Sequence, residues 1–285
     1  MPTNSKQQTM NTKLIPAFTI PLAALVVFAG VTGLVTPGFY SAETLNWEAQ
    51  GIGQDLIDLF LITPVLILSA WMAWRGSKAG LLLWGGALFY LIYTFVIYCF
   101  AVHFNSLFLV YCLILGLSFY AFLSFLISYA DEPVTDWFSG RAPVAFTAWF
   151  LIGIAAVFYL LWLSEVVPAM LSNQAPDSLV QTGLFTNPVH VLDLSVCLPG
   201  LILTGILLLK NKPMGRLLAP VMLTFCILMD ITIGSLVVVM NRHGIEGGWF
   251  LTGIMGVLAI VSLVLLVLHL RALKSSGGEL LSPAS

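Results

Sequence analysis

Two residue pairs combine acid or base chemistry with helical spacing: Asp55 with Asp58, and His190 with Asp193. Each pair is three residues apart, which on a helix places both side chains on one face. Two carboxylates, or a carboxylate beside an imidazole, can hold a proton or a cation. Asp230 stands alone in the run "ILMDITIG", between Met229 and Ile231. An ionisable group so deep in an apolar run is costly and marks function by default, although a neutral, hydrogen-bonded structural role suits it equally. His103, His190 and His243, with a nearby carboxylate, would form a second donor set, suited to a divalent metal ion such as zinc. The spacing of these histidines matches no compact metal motif.

Simpler roles compete with each of these. Aspartate near a helix start is stabilised by free N–H groups and the helix dipole, worth about 0.3–1 kcal/mol. That explains Asp55 well. It explains Asp193 poorly, because Asn187 and Pro188 supply the cap and first position, more than a turn earlier. Tyr90, Tyr93, Thr94 and Tyr98 could line a pocket with hydroxyls, but aromatic packing accounts for them as well.

The elements that must carry these residues follow from composition. Only 8% of the 285 residues are charged, 59% are hydrophobic, and the mean hydropathy is +1.00. A soluble domain carries roughly 25% charge, so the solvent of this chain is largely lipid. A spanning helix needs about 20 mostly apolar residues. Eight runs qualify: 14–36, 54–74, 79–102, 106–129, 143–167, 188–209, 217–240 and 248–271. Open backbone cannot face lipid, and the alternating polarity of a barrel is absent, so the expected fold is all-α: a polytopic membrane protein with eight transmembrane helices. The first run is too long for the core of a signal peptide and is expected to be retained.

Charge placement orients the chain. Ten of the eleven Lys and Arg residues fall on one side of an eight-span arrangement, and Arg242 alone on the other. Both termini are therefore expected in the cytoplasm. His103, His190 and His243 then lie at the outer face, and only His269 at the inner one.

The chain also matches itself. Residues 58–88 align without gaps onto 193–223, so that "DLFLITPVLIL" meets "DLSVCLPGLIL". Arg75 meets Lys210 and Gly80 meets Gly215 in the same register. This predicts a parallel internal repeat: a first four-helix half over 1–129, a cytoplasmic linker over 130–142, a second half over 143–271, and a disordered tail over 272–285. Pro64 and Pro199 would bend the second and sixth helices, freeing carbonyl oxygens beneath Asp58 and Asp193.

Several classes drop out. There is no basic stripe for nucleic acid. No Lys lies mid-span for a Schiff base, no arginine array suggests a voltage sensor, and no nucleotide-binding motif occurs. The four cysteines sit in apolar runs without metal-ligand spacing and read as small hydrophobes.

The runs "GQDLIDLFLITPVLIL", "LLWGGALFYLIY", "NSLFLVY" and "HVLDLSVCLPGLILTGILLL" resemble a group of bacterial multi-pass membrane proteins to which no activity is assigned. The resemblance implies a bacterial plasma membrane and carries over no catalytic residue.

The functional expectation is transport or permeation of a cation or small polar solute. An outward cavity lined by Asp58, Asp193 and Asp230, with Asp55 and His190 near its mouth, would carry it. A membrane-embedded metal-dependent enzyme using His103, His190 and His243 is the alternative. A sensor, assembly factor or structural subunit, packed against a second copy or another membrane partner, is the third reading. The absence of a catalytic motif weighs against the enzyme.

Overall fold

The computed structural model describes residues 13–274. Among them the chain is all-helical, with eight helices long and apolar enough to cross a membrane. They are α1 (Leu14–Val35), α2 (Leu45–Trp74), α3 (Lys78–Ala101), α4 (Phe108–Tyr129), α5 (Val144–Ser172), α6 (Pro188–Leu209), α7 (Pro213–Arg242) and α8 (Trp249–Arg271). The protein is a multi-pass membrane protein. α3 and α7 pack against each other at the centre, joined by α2 and α4 around α3 and by α2, α6 and α8 around α7. α1 covers α2 and α4, and α5 covers α6.

Three boundaries differ from the apolar runs by four residues or more. α2 begins at Leu45 rather than 54, because the Thr44 side chain caps it, accepting from Trp47 N–H at 3.3 Å. Its added turns carry Asn46 and Gln50, which with Gln54 at the start of the apolar run recur every four residues on one face and make this stretch too polar to read as a span. α5 runs on past Pro168 to Ser172, where Asn173 turns left-handed at φ 52°. α7 begins at Pro213, a position that tolerates proline because its N–H would be unpaired.

α2 and α6 share an unusual detail. Each widens into a π-turn that starts at an aspartate, Asp58–Ile62 in one and Asp193–Cys197 in the other. The N–H of Thr63 reaches the Asp58 carbonyl, and that of Leu198 reaches the Asp193 carbonyl. A proline follows at once in both, Pro64 and Pro199. Proline lacks an N–H and its ring crowds the carbonyl a turn back; one extra residue in the turn relieves the crowding, while the missing donor still leaves one carbonyl unpaired. The carbonyls were expected to remain free as ligands. They do not all remain so: Leu194 O, which proline leaves without a backbone donor, accepts from Tyr159 O–H at 3.0 Å.

The turns that follow also correspond. Ser77 N–H bonds back to Met72 O at 3.0 Å, and Lys212 N–H to Leu207 O at 2.9 Å. The residue before each, Gly76 (φ 84°) and Asn211 (φ 51°), is left-handed, which only Gly or a residue such as Asn adopts readily. Gly80 then lies against Met72 and Ala73, and Gly215 against Leu207 and Leu208, with no space for a Cβ.

The α4–α5 connection is not a loose linker. Val134–Trp137 forms a short 3₁₀ turn, and Val134, Phe138 and Ala142 are buried. Ser139 N–H donates to Ala272 O at 2.7 Å and Lys274 N–H to Trp137 O at 2.8 Å. Residues 272–274, expected in a disordered tail, are therefore tied to this connection. The rest of that predicted tail, and the polar start before residue 13, lie outside the described residues.

Candidate functional site

A cavity of about 660 Å³ occupies the half of the bundle away from Leu14 of α1 and Arg271 of α8. Its walls come from α2, α3, α5, α6, α7 and α8, with loop residues Leu184 and Ile245 at the mouth. Most of the wall is apolar or aromatic. The charged side chains that line it are Glu165, Asp193, Asp230 and Glu246; neither Lys nor Arg is among them.

Asp193 projects from the π-turn of α6. Its carboxylate accepts from Tyr93 O–H at 3.1 Å and from Trp162 indole N–H at 2.8 Å. Two neutral donors hold its position without cancelling its charge. Asp230 comes from α7, is buried, lines the same cavity, and its Oδ2 has no hydrogen-bond partner. Cys226, one turn before Asp230 on α7, lines the same cavity as both carboxyl groups. Nearer the mouth, His190 is buried against the Trp162 ring, with centroids 4.5 Å apart. Its Nε2 lies 3.7 Å from Glu165, whose other oxygen accepts from Ser178 O–H.

The other two predicted acids lie elsewhere. Asp58 is buried and does not line the cavity. Gln54 stands between them: its Nε2 donates to Asp58 Oδ1 at 2.9 Å and to Tyr90 O–H oxygen at 2.8 Å. Tyr90 in turn bonds Thr232 at 2.8 Å, and Thr232 donates to Leu228 O at 2.7 Å. This chain satisfies each group in sequence and ties α2, α3 and α7 together. The predicted cavity lined jointly by Asp58 and Asp193 is thus corrected: Asp193 faces it and Asp58 is sealed behind an amide. Asp55 occupies its own closed pocket, accepting from Tyr40 O–H at 2.8 Å and Tyr98 O–H at 2.7 Å, with Gly33 of α1 packed directly on its carboxylate. Burial, and then the nearby Asp55, push the Tyr40 hydroxyl far up from its usual pKa, so Tyr40 keeps its proton and donates it.

The histidine set is corrected as well. His103 is exposed, its Nδ1 2.8 Å from Glu43. His243 ends α7 with Nδ1 2.9 Å from Val239 O. Neither joins His190. Among the described residues no group of three or more His, Cys, Asp or Glu could hold a metal ion, so the donor set does not fit the divalent metal.

Sequence reasoning missed Asn46, Gln50 and Gln54, which all line the cavity. Their signal was present as the four-residue recurrence Asn46, Gln50, Gln54, Asp58. Trp162 and Tyr93 as donors to Asp193 had no signal beyond their types, because the contacts join separate helices.

No family model matches the chain, and neither a curated protein nor a solved structure is significantly similar to it. Any function must be read from the site itself.

Proposed function

We propose that this protein binds a cation or small polar solute in the cavity and carries it across the membrane. One observation supports the reading most: Asp193 and the partly unpartnered Asp230 enter one cavity whose lining holds no Lys or Arg. Buried carboxylates in a membrane protein are costly unless paired, and a cationic ligand would provide the pair. His190 and Glu165 sit nearer the mouth on the path of entry. Asp55 and Asp58 act behind the wall, fixing α2. The opposite end carries most of the basic residues, which supports cytoplasmic termini, a cavity open to the outside and a plasma-membrane setting. The matched π-turns and hairpin turns of α2–α3 and α6–α7 support an internal duplication behind this arrangement.

The test is flux into proteoliposomes, comparing unaltered protein with Asp193→Asn and Asp230→Asn. Saturable uptake that falls in both variants, at equal reconstitution, is expected. Uptake unchanged in both overturns the reading.

A further inference from the structure

The walls narrow the ligand class. This inference rests on the cation reading above. An inorganic cation of the hard type needs about six to eight oxygen ligands at short range. The cavity does not gather them: among the described residues no three of His, Cys, Asp and Glu converge on one point, and the cavity surface is largely carbon. Its volume, about 660 Å³, falls in the range of pockets for drug-sized molecules, roughly 300–1,000 Å³.

We infer that the cavity is a binding site for an organic cation with an apolar body, its charge held between Asp193 and Asp230 and its body against Trp162, Phe158 and Phe225. Asp230 provides the decisive group. It is only 8% exposed, lines the cavity, and no hydrogen bond reaches either of its carboxylate oxygens, so an ammonium or similar head entering the cavity supplies the missing partner. Aromatic faces attract a desolvated cation through the ring quadrupole, which an aliphatic wall cannot do. The rim suits such a molecule too. Leu161 of α5 and Leu251 of α8 line the cavity and are partly exposed, so its edge is apolar as well.

Equilibrium binding of tetraphenylphosphonium to the full chain in lipid nanodiscs tests this. Saturable binding is expected, resistant to excess sodium or magnesium and displaced by a second organic cation. Asp193→Asn and Asp230→Asn should each weaken it about tenfold or more. Glu43→Gln, outside the cavity, should leave it unchanged. If an acid-to-amide variant fails to fold, Leu201→Phe fills the cavity with both carboxylates in place and must lower binding as well. No saturable binding, or binding indifferent to these cavity substitutions, overturns the inference. Binding without flux would sink the transport reading and keep the site. Flux of an inorganic cation that needs Asp193 and Asp230, without tetraphenylphosphonium binding, would do the reverse.

Discussion

Asp58 and Asp193 begin the same backbone feature and end in opposite surroundings. Both open a π-turn ahead of a proline, on helices that enter the bundle from the same end. At Asp58 the helix continues upward for thirteen residues, and Gln54 folds an amide onto the carboxylate. At Asp193 the helix has only Pro188–Leu192 above the turn. The residue in the place of Gln54 is Val189, which has no donor to give. Asp193 instead takes its donors sideways, from Tyr93 and Trp162, and keeps a face toward the cavity. A local sequence pattern can therefore dictate a turn without deciding whether its acid is sealed or presented. The neighbouring helices decide that.

The contrast can be broken most forcefully at the sealed side. Gly33→Val would push a side chain into the Asp55 carboxylate, separating it from the Tyr40 and Tyr98 hydroxyls. Overpacking and orphaned hydroxyls together should cost about 3 kcal/mol or more, read as a large fall in thermal stability in detergent. Asp58→Ala comes next. It leaves one N–H of the half-buried Gln54 amide without its acceptor and empties a buried site, so a loss of about 1–3 kcal/mol is expected by the same measurement. Tyr159→Phe removes one interhelical bond, to Leu194 O, and should cost about 0.6 kcal/mol. Asp193→Asn should change stability least, within about 0.5 kcal/mol. Its oxygen can still accept from Trp162, and its new amide can donate to the Tyr93 oxygen once that hydroxyl rotates. If Asp193→Asn destabilises as much as Asp58→Ala, the two acids are both structural and the contrast fails.

A chemical probe sharpens the same point. Cys197 and Cys226 line the cavity, whereas Cys99 and Cys112 do not. In a protein with Cys99 and Cys112 replaced by serine, a cationic thiol reagent should label faster than an anionic one of equal size. Mass spectrometry of the modified protein gives the rates. Equal rates would show that the carboxylates do not set the potential in the cavity.

The fold was largely legible because a lipid-spanning helix leaves a long apolar run that no other structure explains. The first turns of α2 were not, since Asn46, Gln50 and Gln54 make that stretch polar while it faces the cavity. Asp230 could be picked out by its isolation within an apolar run. The fate of Asp58 could not, because it hangs on Gln54, Tyr90 and Thr232 meeting from three helices. The three histidines looked alike in sequence, at helix ends on one side. In space Glu43, Glu165 and a backbone carbonyl claim them separately.

The strap formed by Trp137–Ser139 against Ala272–Lys274 has a bearing on biogenesis. A chain made from its N-terminus exposes Trp137 long before Ala272 exists. Until α8 has been inserted and its end has emerged, the backbone groups of that connection have no partner from the last helix. Closure of the strap therefore reports that all eight helices are in place. A ribosome-stalled or truncated chain lacking α8 would leave this segment open, and proteolysis there would time the completion of assembly.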